Sequence, residues 1–212
     1  MTPPPKLLLV NPNASQQVTL WLAQEARRVA GTTFDVIAVN AESGIEAIET
    51  PEQLALAARS VALEVVKHDG ARGAIVGAFG DPGVEAARKL GLMPIAGLGE
   101  SGMSAAGRGG LRFSIVTLGT AMREPILAKA GSLGLAGQLA EVHILPFSIA
   151  EMVRDRDAAR AQVVRAVLAC EDGVVLLGGA PFAGMAAGIA RLTRRVVLDG
   201  VEACIEVIES AR

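Results

Sequence analysis

The chain has 212 residues, 51% of them apolar and only 3% aromatic, with 24 glycines and a formal net charge of −2. That length holds one large domain or two small lobes, and a weakly acidic balance with no basic patch and no aromatic-interleaved Lys/Arg run argues against a nucleic-acid partner. Two cysteines, Cys170 and Cys204, make no disulfide framework, and the opening MTPPPKLLLVNPN has too short an apolar run for a signal peptide, so a soluble, cytoplasmic protein is expected.

In chain order, a strand is predicted at KLLLVN (6–11), a helix at 15–30, a strand at FDVIAVN (34–40) and a helix at 51–68. A strand at GAIVGAF (73–79), a helix at 83–90, a strand at MPIAGLG (93–99) and a helix at 100–106 follow. The second half repeats the alternation: strand RFSIVTLG (112–119), helix 120–131, strand EVHILPF (141–147), helix 149–170, strand GVVLLGG (173–179), helix 183–192, strand RRVVLDG (194–200) and helix 201–211. Continuous Leu/Val/Ile runs, rather than apolar–polar alternation, indicate strands buried on both faces, as in parallel sheets covered by helices. The expectation is an α/β fold. The 18 uncharged residues 173–190 reach transmembrane length. Gly178-Gly179-Ala180-Pro181 interrupts them, so strand, turn and helix is the better reading and no membrane partner is expected.

A weak internal repeat divides the chain. AIVGAFGDPGVEAA (74–87) matches VLLGGAPFAGMAAG (175–188), placing Ile75-Val76-Gly77 on Leu176-Leu177-Gly178 and Gly83 on Gly184. LLLVNPN (7–13) similarly resembles FSIVTLG (113–119), and PIAGLGE, ending at Glu100, resembles VVLDGVE, ending at Glu202. Two pseudo-symmetric lobes are expected, 1–97 with 199–212 and 98–198. Each would be a mostly parallel sheet flanked by helices, with the turns at the carboxyl ends of the strands converging on a ligand cleft.

Four turns could carry chemistry. Asn11, Asn13 and Ser15 follow the first strand, where they either cap the next helix or bind a carboxylate at its free N–H groups. In Gly77–Gly83 the small residues Ala78 and Gly80, beside Phe79, allow backbone to approach a ligand; Asp81 is placed either as the helix N-cap or as a general base. Thr117, Leu118 and Gly119 open a third helix with hydroxyl and amide groups suited to an oxyanion. Gly179, Ala180 and Pro181 offer backbone amides, and Pro181 with Phe182 forms either an apolar pocket wall or core. Glu100 begins a helix, where a carboxylate favours the dipole or serves catalysis. His143 reads as a satisfied strand histidine, His68 as a surface residue, and both cysteines as buried, inert thiols. There is no metal-ligand spacing such as HExxH or CxxC, no nucleotide-binding glycine loop and no GxSxG elbow, so no cofactor and no metal are expected.

NPNASQQVT (11–19), AFGDPGVEAARKL (78–90), PIAGLGE (94–100), RFSIVTLG (112–119), LLGGAPFAGMA (177–187) and VLDGVEA (197–203) together resemble, in order and spacing, the motifs of the aspartate/glutamate/hydantoin racemase superfamily, closest to its hydantoin/allantoin branch. The resemblance covers nearly the whole chain. It implies a cofactor-independent homo-oligomer in which two cysteines move protons on opposite faces of a small amino acid, hydantoin or allantoin-like substrate. At the two positions where the family carries those cysteines this chain has Ala78 and Gly179. The resemblance therefore implies the scaffold without the two-thiol mechanism, leaving Asp81 and Glu100 as acid/base candidates. Hydrolysis or decarboxylation by the same carboxylates, or binding without catalysis, are the alternatives.

Overall fold

The computed structural model describes residues 3–42, 45–46, 48, 51–171 and 173–211; Met1 and Thr2 of the opening MTPPP segment lie outside it. By contacts the chain divides into two compact units, residues 1–98 with 201–212, and residues 99–200.

The first unit is built on β1 (Lys6–Asn11), β2 (Asp35–Asn40), β3 (Gly73–Val76) and β4 (Ile95–Gly97), all parallel, in the order β2-β1-β3-β4. Leu7, Leu8, Leu9 and Val10 are wholly buried because β1 is central and covered on both faces. Helices α1 (Gln16–Ala30), α2 (Pro51–Lys67), α3 (Val84–Lys89) and α9 (Val201–Ser210) belong to this unit. One side of the sheet packs Val61 and Val65 of α2 with Val84 and Ala87 of α3. Helix α9 returns from the far end of the sequence to pack on β3, β4 and α1, so closely that a Cβ on Gly73 would stand 2.5 Å from Ile208 Cγ2.

The second unit repeats the plan. Its strands are β5 (Phe113–Leu118), β6 (Leu139–Leu145), β7 (Val174–Gly178) and β8 (Val197–Leu198), parallel, in the order β6-β5-β7-β8. Helix α4 (Leu98–Ala106) leads into it, and α5 (Arg123–Ser132), α6 (Ile149–Arg154), α7 (Arg156–Ala169) and α8 (Ala186–Thr193) complete it. Central β5 and β7 are buried along their length, whereas edge strand β6 is only partly covered and carries the polar residues Glu141 and His143. The two sheets thus share one strand order, second-first-third-fourth, which is the spatial form of the repeat seen in the sequence. No helix among the described residues is long and apolar enough to cross a membrane, and residues 173–190 fold as strand, turn and helix.

Several boundaries differ from expectation. The helix expected over 149–170 is two helices, because Asp155 leaves helical geometry (φ −142°, ψ 83°) and its carboxylate caps α7 by accepting from the Ala158 N–H at 2.9 Å. Strand β3 stops at Val76, before Gly77; β4 stops at Gly97, because α4 begins at the next residue; and β8 ends after two residues, before Asp199 and Gly200. Helix α4 starts at Leu98, two residues early, α8 starts at Ala186, three late, and the helix expected from 120 begins as a 3₁₀ turn over Thr120–Met122.

Phe182 is wholly buried among Met152, Val163, Leu177 and Ile189, so it is core and not pocket wall. Phe182→Ala should destabilise the protein by about 3–5 kcal/mol through lost burial and the cavity left behind, read by urea unfolding.

Candidate active site

In an open parallel sheet, ligands bind at the carboxyl ends of the strands where the chain order reverses. In the first unit that point lies between β1 and β3, and in the second between β5 and β7. The four turns singled out in the sequence are those at these strand ends. Within each unit the two turns are neighbours: the Gly77 N–H donates to the Val10 carbonyl at 2.8 Å, and the Thr117 hydroxyl donates to the Gly178 carbonyl at 2.6 Å.

After β1, Ser15 caps α1 by accepting from the Val18 N–H. The Asn11 amide is wholly buried and its hydrogens point to the Asn13 Oδ1 (3.0 Å), the Thr19 hydroxyl (2.9 Å) and the Ser15 carbonyl (3.2 Å). Asn11 therefore shapes the turn instead of facing a ligand. Asn13 accepts through Oδ1 from Asn11 and from the Ser15 N–H, and Asn40 holds its carbonyl at 2.8 Å. Among the described residues nothing takes the hydrogens of its Nδ2, which leaves Asn13 a donor this turn can give.

After β3, Ala78–Asp81 forms a β-turn closed by the Asp81 N–H to the Ala78 carbonyl at 3.0 Å. Ala78 is half-buried, Phe79 buried and Gly80 exposed. Asp81 is buried and adopts a left-handed conformation (φ 52°), which Asp tolerates better than most side chains. It is not the helix N-cap that the sequence suggested. That place belongs to Gly83, whose φ of 82° suits glycine and where a Cβ would stand 2.8 Å from the Ala58 carbonyl oxygen, leaving no room for a side chain. The Asp81 carboxylate instead lies against β4, where a Cβ on Gly97 would fall 2.5 Å from Asp81 Oδ1.

In the second unit Thr117 and Leu118 end β5, and Gly119 (φ 79°) is exposed at the head of the following 3₁₀ turn. Because the Thr117 hydroxyl already donates to Gly178, it offers a ligand only lone pairs, not the donor expected from sequence. Thr117→Val should cost about 1–3 kcal/mol by stranding a buried carbonyl, measurable as a lowered urea midpoint. Gly179 is half-buried in extended backbone, and Ala180 and Pro181 are buried in the 3₁₀ turn Ala180–Phe182. A Cβ on Gly179 would meet only the Phe182 ring (3.4 Å) and Pro181 Cδ (3.5 Å), ordinary contacts. Glu100 stands half-buried in the first turn of α4.

The sequence reading passed over Asp199. It is buried after β8, and its carboxylate accepts the Gly184 N–H at 2.8 Å. Gly184 (φ 79°) matches Gly83 in the repeat, and each unit has a buried carboxylate beside its main turn. The turn itself supplies that carboxylate in the first unit; the neighbouring strand end supplies it in the second. The LDGV motif was the available signal. Neither cysteine enters these turns: Cys204 sits in α9 with its thiol towards the Gly97 carbonyl, and Cys170 closes α7, where burial pushes its thiol up to about 11.

The description "Asp/Glu/Hydantoin racemase" fits residues 7–208, almost the entire chain. The chain belongs to the Asp/Glu/hydantoin racemase family. Among solved structures of this family, allantoin racemase from Klebsiella pneumoniae superposes with a TM-score of 0.89 at 28% identity, over 97% of this chain and 86% of that one. Allantoin racemase from Pseudomonas fluorescens gives 0.88 at 27%, over 97% and 89%. A hydantoin racemase of Pseudomonas sp. (strain NS671) is 26% identical over 211 residues, 97% of this chain and 85% of that protein. An Asp/Glu/hydantoin racemase-type α/β enzyme is thus established.

Proposed function

We propose that this racemase-family enzyme moves a proton at the stereogenic carbon of a small carboxylate or cyclic ureide, hydantoin- or allantoin-like, without a cofactor and without paired thiols. One observation carries the reading: within the matched turns 77–83 and 178–184, Asp81 is the only ionisable side chain, and it is buried at the carboxyl end of its sheet. The names of the relatives supply the substrate class.

Removing a proton α to a carbonyl leaves an enolate-like anion. Its cost falls when fixed donors meet the developing charge. In the first unit the open Asn13 Nδ2 and the Phe79 amide, and in the second unit the Gly179 and Ala180 amides, are the donors assigned to that task, with Ser15 and Gly119 shaping the respective turns. Asp81 in the first unit is assigned as the group that takes the proton, and Glu100 at the head of the second unit is the other acid/base candidate. Ala78 and Gly179, standing where the family resemblance marks thiols, cannot exchange protons.

The test is hydrogen exchange. The protein is incubated in deuterated water with hydantoins, allantoin, aspartate and glutamate, and the α-proton signal is followed by NMR alongside optical rotation. Exchange with loss of rotation is expected for at least one ureide. Ring opening or carbon dioxide release would identify the same carboxylates as hydrolytic or decarboxylating groups, and saturable binding without turnover would leave a binding protein.

A further inference from the structure

On edge strand β6, Glu141 and His143 are two residues apart and so share a face. Cys170, at the end of α7, is brought to them. One oxygen, one nitrogen and one sulfur of these three side chains all lie within 4.8 Å of one another. The register places Glu141 opposite Ser114, near the amino end of β5. At ~3.3 Å per residue, that is about 16 Å along the strand from Gly119, so the cluster is separate from the turns described above.

The local geometry is unusual for a plain ion pair. His143 Nε2 is 2.8 Å from Glu141 Oε2, yet it is buried and makes no properly aligned hydrogen bond. The other carboxylate oxygen is anchored by the Glu171 N–H at 2.7 Å and the Ser114 hydroxyl at 3.3 Å. A nitrogen and an oxygen that approach closely without aligning on each other can both align on a third atom. The Glu141 and His143 side chains remain 28% and 30% exposed, which leaves an entry path.

We propose that Glu141, His143 and Cys170 form a binding site for Zn²⁺, with a fourth position open to water. The donor set is right for the ion: carboxylate, imidazole and thiolate are its ordinary ligands at about 2.0–2.3 Å. Tetrahedral bonds of that length put ligand atoms about 3.5 Å apart, so the observed spread closes with side-chain shifts of about an ångström. Binding expels the Cys170 thiol proton to solvent and requires His143 to keep its ring proton on Nδ1, leaving Nε2 for the metal. The anchored Glu141 oxygen supplies the outer support that such sites need.

The experiment titrates the chelator-treated full-length chain with Co²⁺, then displaces it with Zn²⁺. The expected result is a thiolate-to-cobalt charge-transfer band that saturates at one ion per chain and disappears on adding Zn²⁺. Cys170→Ser should remove the band, Cys204→Ser should leave it, and His143→Gln should weaken binding at least about 100-fold, as loss of a direct ligand must exceed loss of an outer-shell partner. Absence of the band in the unaltered protein overturns the proposal without recourse to any variant, and so does its persistence in Cys170→Ser.

Discussion

Asp81→Asn should lower substrate α-proton exchange by about 10²–10⁴-fold, the range that a positioned acid/base group contributes. Asn is the informative replacement. It keeps the volume that fits against Gly97 and accepts the left-handed backbone at φ 52°, so it removes the titrating group without dismantling the turn. Thermal unfolding run in parallel separates the two readings of this residue. A purely structural Asp81 would lose stability while keeping its exchange rate per folded molecule. Unchanged exchange in a folded Asn variant would remove Asp81 from the mechanism.

The second large effect is a gain. Ala78→Cys and Gly179→Cys, each made singly, should raise exchange at least about tenfold over the parent and make it sensitive to iodoacetamide. Space permits both. Ala78 already carries a Cβ and is half-buried, and a Cβ on Gly179 meets the Phe182 ring and Pro181 at ordinary contact distance in a backbone any residue adopts. A thiolate is a strong base at neutral pH only when nearby amides or charges favour it, so the gain tests whether these turns still provide that environment. A folded variant with no gain would mean that the donors around that thiol no longer serve such chemistry.

Much of the architecture was readable because burial on two faces leaves a plain mark. Runs such as LLLV and FSIVTL can hardly be anything but central parallel strands, and the repeat around Gly77 and Gly178 foretold the common strand order. The site was readable only as turns. Asn11 looked like a ligand contact because the sequence cannot show that its amide is already committed to Asn13, Ser15 and Thr19. Thr117 looked like a donor for the same reason, its hydroxyl being bonded to a residue 61 positions away. Asp81 looked like a cap because Asp-Pro-Gly before a helix reads that way; the structure gives the cap to Gly83. The Glu141, His143 and Cys170 cluster has no local spacing at all, since it depends on how the α7 terminus meets an edge strand.

The route of the chain through its two units has a bearing on synthesis. Residues 99–200 hold every strand of the second unit, whereas the first unit lacks its α9 face until residues 201–212 have been made. Val201, Cys204, Ile205 and Ile208 are buried there. The half translated first is therefore the half finished last: until α9 arrives, the face of β3 and β4 that it covers stays exposed.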